Sequence, residues 1–158
     1  MARILFTGGG GAGSEALYRH LGNKHDLYFA DADIDSINPL IPANRRIQIP
    51  WAQNPDFCDI LLNHCVNNAV DYLVPGVDEE LVQLSRGKAG PVQIVVPQTE
   101  FVEQMLDKYH FAIALSKAGL HVPETRLLHD CDGMAFPLIV KPRSGRGSRG
   151  VLKVENKT

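Results

Sequence analysis

The first hundred residues repeat one rhythm, a short apolar run followed by a longer stretch with helical spacing. Ile4-Leu5-Phe6 is apolar and leads into the glycine turn Gly8-Gly9-Gly10-Gly11-Ala12-Gly13, after which Ser14 opens a helical stretch to about Leu21. Strand, glycine turn and helix in that order open an α/β unit. Leu27-Tyr28-Phe29-Ala30 predicts a second strand, followed by Asp31, Asp33 and Asp35. Residues 36–46, with Pro39 and Pro42, read as loop, and residues 46–49 as a third strand stopped by Pro50. Asn54-Pro55 predicts a helix start, with Asn as cap and Pro at the first helical position. That helix runs to about Asn67, with Phe57, Ile60, Leu61 and His64 at helical spacing. Tyr72-Leu73-Val74 reads as a buried strand ended by Pro75-Gly76. A helix from Val77 or Asp78 carries Leu81, Val82 and Leu84, and residues 93–96 form a fifth strand. This alternation points to a parallel sheet covered on both faces.

The rhythm changes near residue 98. Residues 99–105 and 107–118 read as two helices, the second with an apolar face of Phe111, Leu115 and Ala118 and a stop at Gly119. After Pro123, residues 125–128, 138–141 and 151–154 read as strands around the polar turn Asp130-Cys131-Asp132-Gly133, an antiparallel piece. The expected organisation is a Rossmann-like domain over 1–97 and a second, α+β piece over 98–158. Three strands on so little core are marginal alone. The chain is therefore expected to be a fragment of a larger protein.

Composition narrows the class. Of 158 residues 44% are hydrophobic and 22% charged, the profile of a soluble globular protein. No run of 18 apolar residues is present, so no membrane span is expected. Three cysteines, Cys58, Cys65 and Cys131, make no disulfide framework, and the expected compartment is the reducing cytoplasm. Cys58 and Cys65 have no zinc spacing and read as buried small residues, and Trp51 reads as packing between sheet and loop. The six histidines form no sequence cluster.

Charge is the more informative feature. Residues 141–158 carry six basic side chains and one acidic one, Glu155, a net +5. Against a whole-chain charge of -2, residues 1–140 therefore carry -7. The positive charge sits around a glycine-rich loop, which suits a small phosphorylated ligand better than a long nucleic acid.

Two loops carry candidate chemistry. Gly8-x-Gly10-x-x-Gly13, between strand and helix, has the spacing of a dinucleotide fingerprint, with Asp31 or Asp33 placed for a ribose. It supports an alternative reading as an NAD-dependent oxidoreductase. The same glycines need only make a tight turn. The P-loop spacing Gly8-x4-Gly13 has Ser14 where a lysine should stand. Gly10, Gly11, Asp78 and Glu79 are candidates for a substrate-side contact at strand ends, although Asp78, Glu79 and Glu80 also suit a helix start electrostatically.

The second loop is the stronger signal: Phe136-Pro137-Leu138-Ile139-Val140-Lys141-Pro142-Arg143-Ser144-Gly145-Arg146-Gly147-Ser148-Arg149-Gly150-Val151. A lysine at the strand end presents a point charge, and the loop offers backbone N–H groups to phosphate oxygens. An Arg-Gly segment of a noncatalytic binding module, touching RNA or protein, is the other reading of these residues. A net negative chain argues against nucleic acid as the main partner.

Taken together the segments resemble the ATP-grasp superfamily, and within it proteins similar to the large chain of carbamoyl-phosphate synthase. The Ile4–Gly13 strand and turn resembles the pre-ATP-grasp domain, and Pro75-Gly76-Val77-Asp78-Glu79-Glu80-Leu81 resembles the turn after its fourth strand. Asp107-Lys108-Tyr109 with Phe111, Leu115, Ala118-Gly119-Leu120 and Val122-Pro123-Glu124-Thr125 resembles the lead-in to the grasp. Residues 136–151 resemble its lysine strand and lid loop.

The resemblance implies an α/β, Rossmann-like pre-ATP-grasp domain with a parallel sheet over 1–97. Linker helices and the incomplete amino-terminal part of an α+β ATP-grasp domain would follow over 98–158. It implies part of an ATP-dependent ligase that activates a carboxylate or bicarbonate as an acyl phosphate for attack by an amine or ammonia. Lys108 would contact ATP phosphates and Lys141 the α-phosphate and the adenine side. Ser144, Gly145, Arg146, Gly147, Ser148 and Gly150 would close over the β- and γ-phosphates. Magnesium ligands and the adenine hinge are expected beyond residue 158. No catalytic or metal residue is therefore assigned within the chain, and the chain alone is not expected to catalyse the reaction. The implied partners are a small acid and an amine, with a homo-oligomer left open.

Overall fold

The computed structural model of the chain describes every residue except 88, 89, 146, 157 and 158. The chain divides into two compact units, Met1–Thr99 and Glu100–Thr158. Among the described residues no helix is long and apolar enough to cross a membrane.

The first unit contains β1 (Arg3–Thr7), α1 (Ser14–Leu21), β2 (Asp26–Asp31), β3 (Arg46–Gln48), α2 (Phe57–Asn67), β4 (Tyr72–Val74), α3 (Asp78–Arg86) and β5 (Gln93–Ile94). The five strands form one parallel sheet in the order β3-β2-β1-β4-β5. Strand alternation separates the core into two layers. Leu5, Ala30 and Leu73 pack with Phe57, Leu61 and Cys65 of α2 and Leu84 of α3. Leu27 and Phe29 pack on the other side with Leu17, Tyr18 and Leu21 of α1. Both faces are thus covered, as the apolar strand runs require. The outward turn of the strand order falls between β1 and β4, so the loops after these two strands meet at the sheet's switch point.

Three local expectations are corrected here. The segment between β2 and β3 is more than a loop. It makes two 3-10 turns, Ile34–Ser36 and Ala43–Arg45, and seats Ile37 and Ile41, both fully buried, in the α1 layer. Asn54-Pro55 makes the turn before α2 rather than its cap. The Asn54 side chain accepts from the Asp56 amide at 2.8 Å and its carbonyl from the Phe57 amide at 3.1 Å. The helix then begins at Phe57, whose ring is buried. Trp51 does not pack between sheet and loop; it is 63% exposed.

The second unit contains most of α4 (Thr99–Leu106), which begins at the last residue of the first, then α5 (Lys108–Lys117), β6 (Leu138–Val140) and β7 (Leu152–Val154). α5 ends as its sequence predicts. Gly119, at φ +78°, donates to Ser116, and Leu120 donates to Leu115 at 3.1 Å, closing the last carbonyls in a Schellman motif. β6 and β7 pair antiparallel, Ile139 opposite Lys153. Residues 125–128 are not a strand. The Arg126 guanidinium donates to the Asp130 and Asp132 carbonyls and pairs with Glu124, tying this segment to the 3-10 turn Leu128–Asp130. The described ribbon therefore has two strands.

Candidate functional site

The start of α5 is fixed by Asp107. Its Oδ1 accepts from the amides of Tyr109 at 3.0 Å and His110 at 3.1 Å, satisfying two donors that a helix start leaves open. The same carboxylate receives Arg143, whose Nε lies 3.0 Å from Oδ2 and 3.2 Å from Oδ1 and whose Nη2 also donates to Oδ2. The Lys108 amide donates to the Arg143 carbonyl at 2.9 Å. Lys108 and the exit of β6 are thereby held side by side.

The hydrogen bond from Arg143 leads in lowering the Asp107 pKa to about 2. A carboxylate whose folded pKa lies below its unfolded value adds stability above the unfolded value and loses it as pH falls through the folded one. The pair is therefore expected to hold at pH 4 and above and to be lost between about pH 4 and pH 2. A carbon NMR titration of the Asp107 carboxyl checks this; a midpoint near the ordinary carboxylate value would mean that the pair is not formed.

A half-open cleft of about 200 Å³ lies beside this junction. Lys108, Lys141, Ser144, Gly145, Gly147 and Ser148 line it, together with Arg149. Among the described residues three cations and no carboxylate face the space. Lys108 Nζ donates to the Gly145 carbonyl at 2.6 Å, while among the described residues nothing pairs with the Lys141 ammonium. The loop backbone explains its glycines. Gly145, Gly147 and Gly150 have φ of +117°, +62° and +70°, conformations that side chains rarely tolerate. At Gly150 a Cβ would also come within 3.0 Å of the Pro142 ring. Gly150 shapes the loop without lining the cleft. Arg146 lies outside the described residues.

The remaining candidates lie in the first unit, around the switch point. Gly8 and Gly76 are neighbours there: a Cβ on Gly8 would sit 3.4 Å from the Gly76 carbonyl, and a Cβ on Gly76 2.4 Å from the Thr7 carbonyl. The loop bearing Gly10 and Gly11 and the start of α3, with Asp78 and Glu79, are thus brought to one end of the sheet. The first glycine loop is closed on itself. Gly9 donates to Ala30 and Gly11 to Gly8, each at 2.9 Å. Gly10 donates to the Asp31 carboxylate, also at 2.9 Å. Asp31 additionally receives the Asp33 amide at 3.0 Å.

The sequence reading placed Glu80 at a helix start and missed its pairing with Thr7. Thr7 is buried, accepts from the Gly76 amide at 2.9 Å and donates its hydroxyl to the buried Glu80 carboxylate. Only the polar residue ending an apolar strand hinted at it. Thr7→Val keeps the shape and deletes both bonds. It is expected to cost about 2 kcal/mol in a denaturant titration; an unchanged midpoint would remove Thr7 from the framework of this loop.

Cys65 is buried and its thiol is pushed up to about 11 by that burial; burial also raises Cys58. Neither is an activated nucleophile. Among the described residues no group of three or more His, Cys, Asp or Glu is placed to hold a metal ion.

Comparison with known families turns on the segment that forms the cleft: residues 105–158 match the family of the ATP-grasp domain. That segment is similar to an ATP-grasp domain. Solved structures share the architecture, a Rossmann-like parallel sheet followed by an α+β region. N5-carboxyaminoimidazole ribonucleotide synthetase from Thermotoga maritima is 20% identical with a TM-score of 0.63, over 99% of this chain and 42% of that one. L-amino acid ligase from Bacillus licheniformis is 19% identical with a TM-score of 0.66, over 99% and 40%. The biotin carboxylase domain of 2-oxoglutarate carboxylase from Hydrogenobacter thermophilus, solved with MgADP and bicarbonate, is 15% identical with a TM-score of 0.61, over 98% and 37%. At such identities the likeness is one of fold. The chain spans about two fifths of the length of these proteins. No curated protein matches it.

Proposed function

We propose that the chain is part of an ATP-dependent ligase, with residues 1–97 as the pre-ATP-grasp domain and 98–158 as linker helices and the first part of the ATP-grasp domain. The observation that carries this reading is the convergence of Lys108, from the start of α5, and Lys141, from the end of β6, on one cleft roofed by the glycine loop. Cations without carboxylates and a loop of exposed backbone fit a polyphosphate. Phosphoryl transfer needs positioning and charge neutralisation more than covalent help.

When bound, ATP supplies the γ-phosphoryl group: a carboxylate or bicarbonate oxygen attacks phosphorus, ADP leaves, and an amine or ammonia then displaces phosphate from the acyl carbon. Lys108 and Lys141 hold the phosphates. Ser144, Gly145, Gly147 and Ser148 offer hydrogen bonds to them, Gly150 sets the loop's turn, and Arg146 is assigned with this loop. Among the described residues no carboxylate lines the cleft, so no magnesium ligand is assigned there. Gly10, Gly11, Asp78 and Glu79, at the switch point, are assigned to the substrate side.

The dinucleotide reading of the first glycine loop gains nothing. The amides of Gly9, Gly10 and Gly11 already have acceptors within the protein, and the Asp31 carboxylate already accepts from the Gly10 and Asp33 amides. The test is calorimetry of the longest chain that the coding sequence encodes. Saturable MgATP binding and silence toward NADH are expected. Binding of NADH but not MgATP would move the site to Gly8–Gly13.

A further inference from the structure

The loop after β6 carries Arg143, Arg146 and Arg149, and charge alone gives each the same claim on a phosphate. Geometry separates two of them. Arg149 lines the cleft, whereas Arg143 does not. The Arg143 guanidinium instead grips both Asp107 oxygens and lies 5.7 Å from the centre of the Tyr109 ring. Turning it toward a phosphate would break a two-point, charge-assisted contact and leave the Asp107 carboxylate to repel the incoming anion.

The pair touches the lysines on both sides. Lys108 follows Asp107 directly and donates its amide to the Arg143 carbonyl, and Lys141 precedes Arg143 by two residues. Asp107 also sets the first turn of α5 through the Tyr109 and His110 amides. One side-chain pair, bridging 36 positions of sequence, therefore joins the helix that presents one lysine to the strand that presents the other.

Resting on the nucleotide reading of the cleft, we propose that Asp107 and Arg143 act as a positioning clamp that sets the spacing of Lys108 and Lys141 for a polyphosphate, and that Arg143 is not itself a phosphate ligand. The clamp is partly exposed, 21% at Asp107 and 48% at Arg143. Pairs so exposed add little to overall stability. Misplacing a positioned group by about 1 Å can nevertheless cost about a hundredfold.

The experiment is a double-mutant cycle on MgATP affinity in the longest encoded chain, with the thermal midpoint of each variant recorded. Asp107→Asn keeps a good helix cap and removes the charge; Arg143→Gln removes the fork. Each single change is expected to weaken MgATP about tenfold, and the double variant no further, because both break the same contact. The thermal midpoints stay close to that of the unmodified chain. Arg143→Lys recovers part of the affinity, since a point charge meets Asp107 without the fork. Losses that multiply overturn the clamp. So does an Asp107→Asn variant that binds as well as or better than the unmodified chain while Arg143→Gln binds worse, which would make Arg143 a direct ligand. A folded, unmodified chain that ignores MgATP overturns the nucleotide reading itself, and the clamp's role with it.

Discussion

Lys141→Ala is expected to weaken MgATP binding about tenfold to a hundredfold, with folding stability unchanged within about 0.5 kcal/mol. A charge-assisted hydrogen bond contributes about 1.5–3 kcal/mol, and each 1.4 kcal/mol is a factor of ten in affinity. The full amount is available at Lys141. Its ammonium has no protein partner among the described residues, so nothing within them must be broken before it meets a phosphate. Lys108 differs. Its Nζ already holds the Gly145 carbonyl at 2.6 Å, and a phosphate must replace that bond. Lys108→Ala is therefore expected to lose less than Lys141→Ala. Calorimetry on both variants decides. Equal and negligible losses would take both lysines out of the phosphate site, and a larger loss at Lys108 would mean that its bond to Gly145 persists in the bound state.

The contrast between these two lysines was not legible in the chain, although the lysines were. Lys141 stands out because an apolar strand ends in a cation and a glycine loop, all within a few residues. The strands of the first unit were legible for the same reason: Leu5, Phe29 and Leu73 sit in short apolar runs, and such runs between helices need a sheet with two covered faces. Residues 125–128 look like a strand by the same local measure, and there the measure failed. Backbone pairing needs a neighbour, and Arg126 ties the segment to its own turn instead.

Contacts between distant positions were likewise out of reach. Thr7 with Glu80, and Asp107 with Arg143, join residues 73 and 36 positions apart. Nothing in either local pattern names the partner. Of the three loop arginines, the structure accounts for Arg143 as a partner of Asp107 and places Arg149 in the cleft. Both assignments depend on how the loop folds rather than on its composition.

Phe29→Ala is expected to cost about 3–5 kcal/mol of unfolding free energy. Phe29 is fully buried on β2, stacks on its register partner Phe6 with ring centres 5.5 Å apart, and meets the edge of Tyr18 at 6.3 Å. Its truncation removes apolar burial from the α1 layer, deletes two aromatic contacts and leaves a cavity between a central strand and a helix. A small domain holds only about 5–15 kcal/mol in total, so the loss is a large part of what keeps the unit folded. Trp51→Ala is the control. It removes a larger side chain from a position 63% exposed and is expected to change stability by less than about 0.5 kcal/mol. Urea titration of both variants tests the pairing. Similar losses at the two positions would mean that side-chain size, and not the two-layered packing around the sheet, sets the stability of this unit.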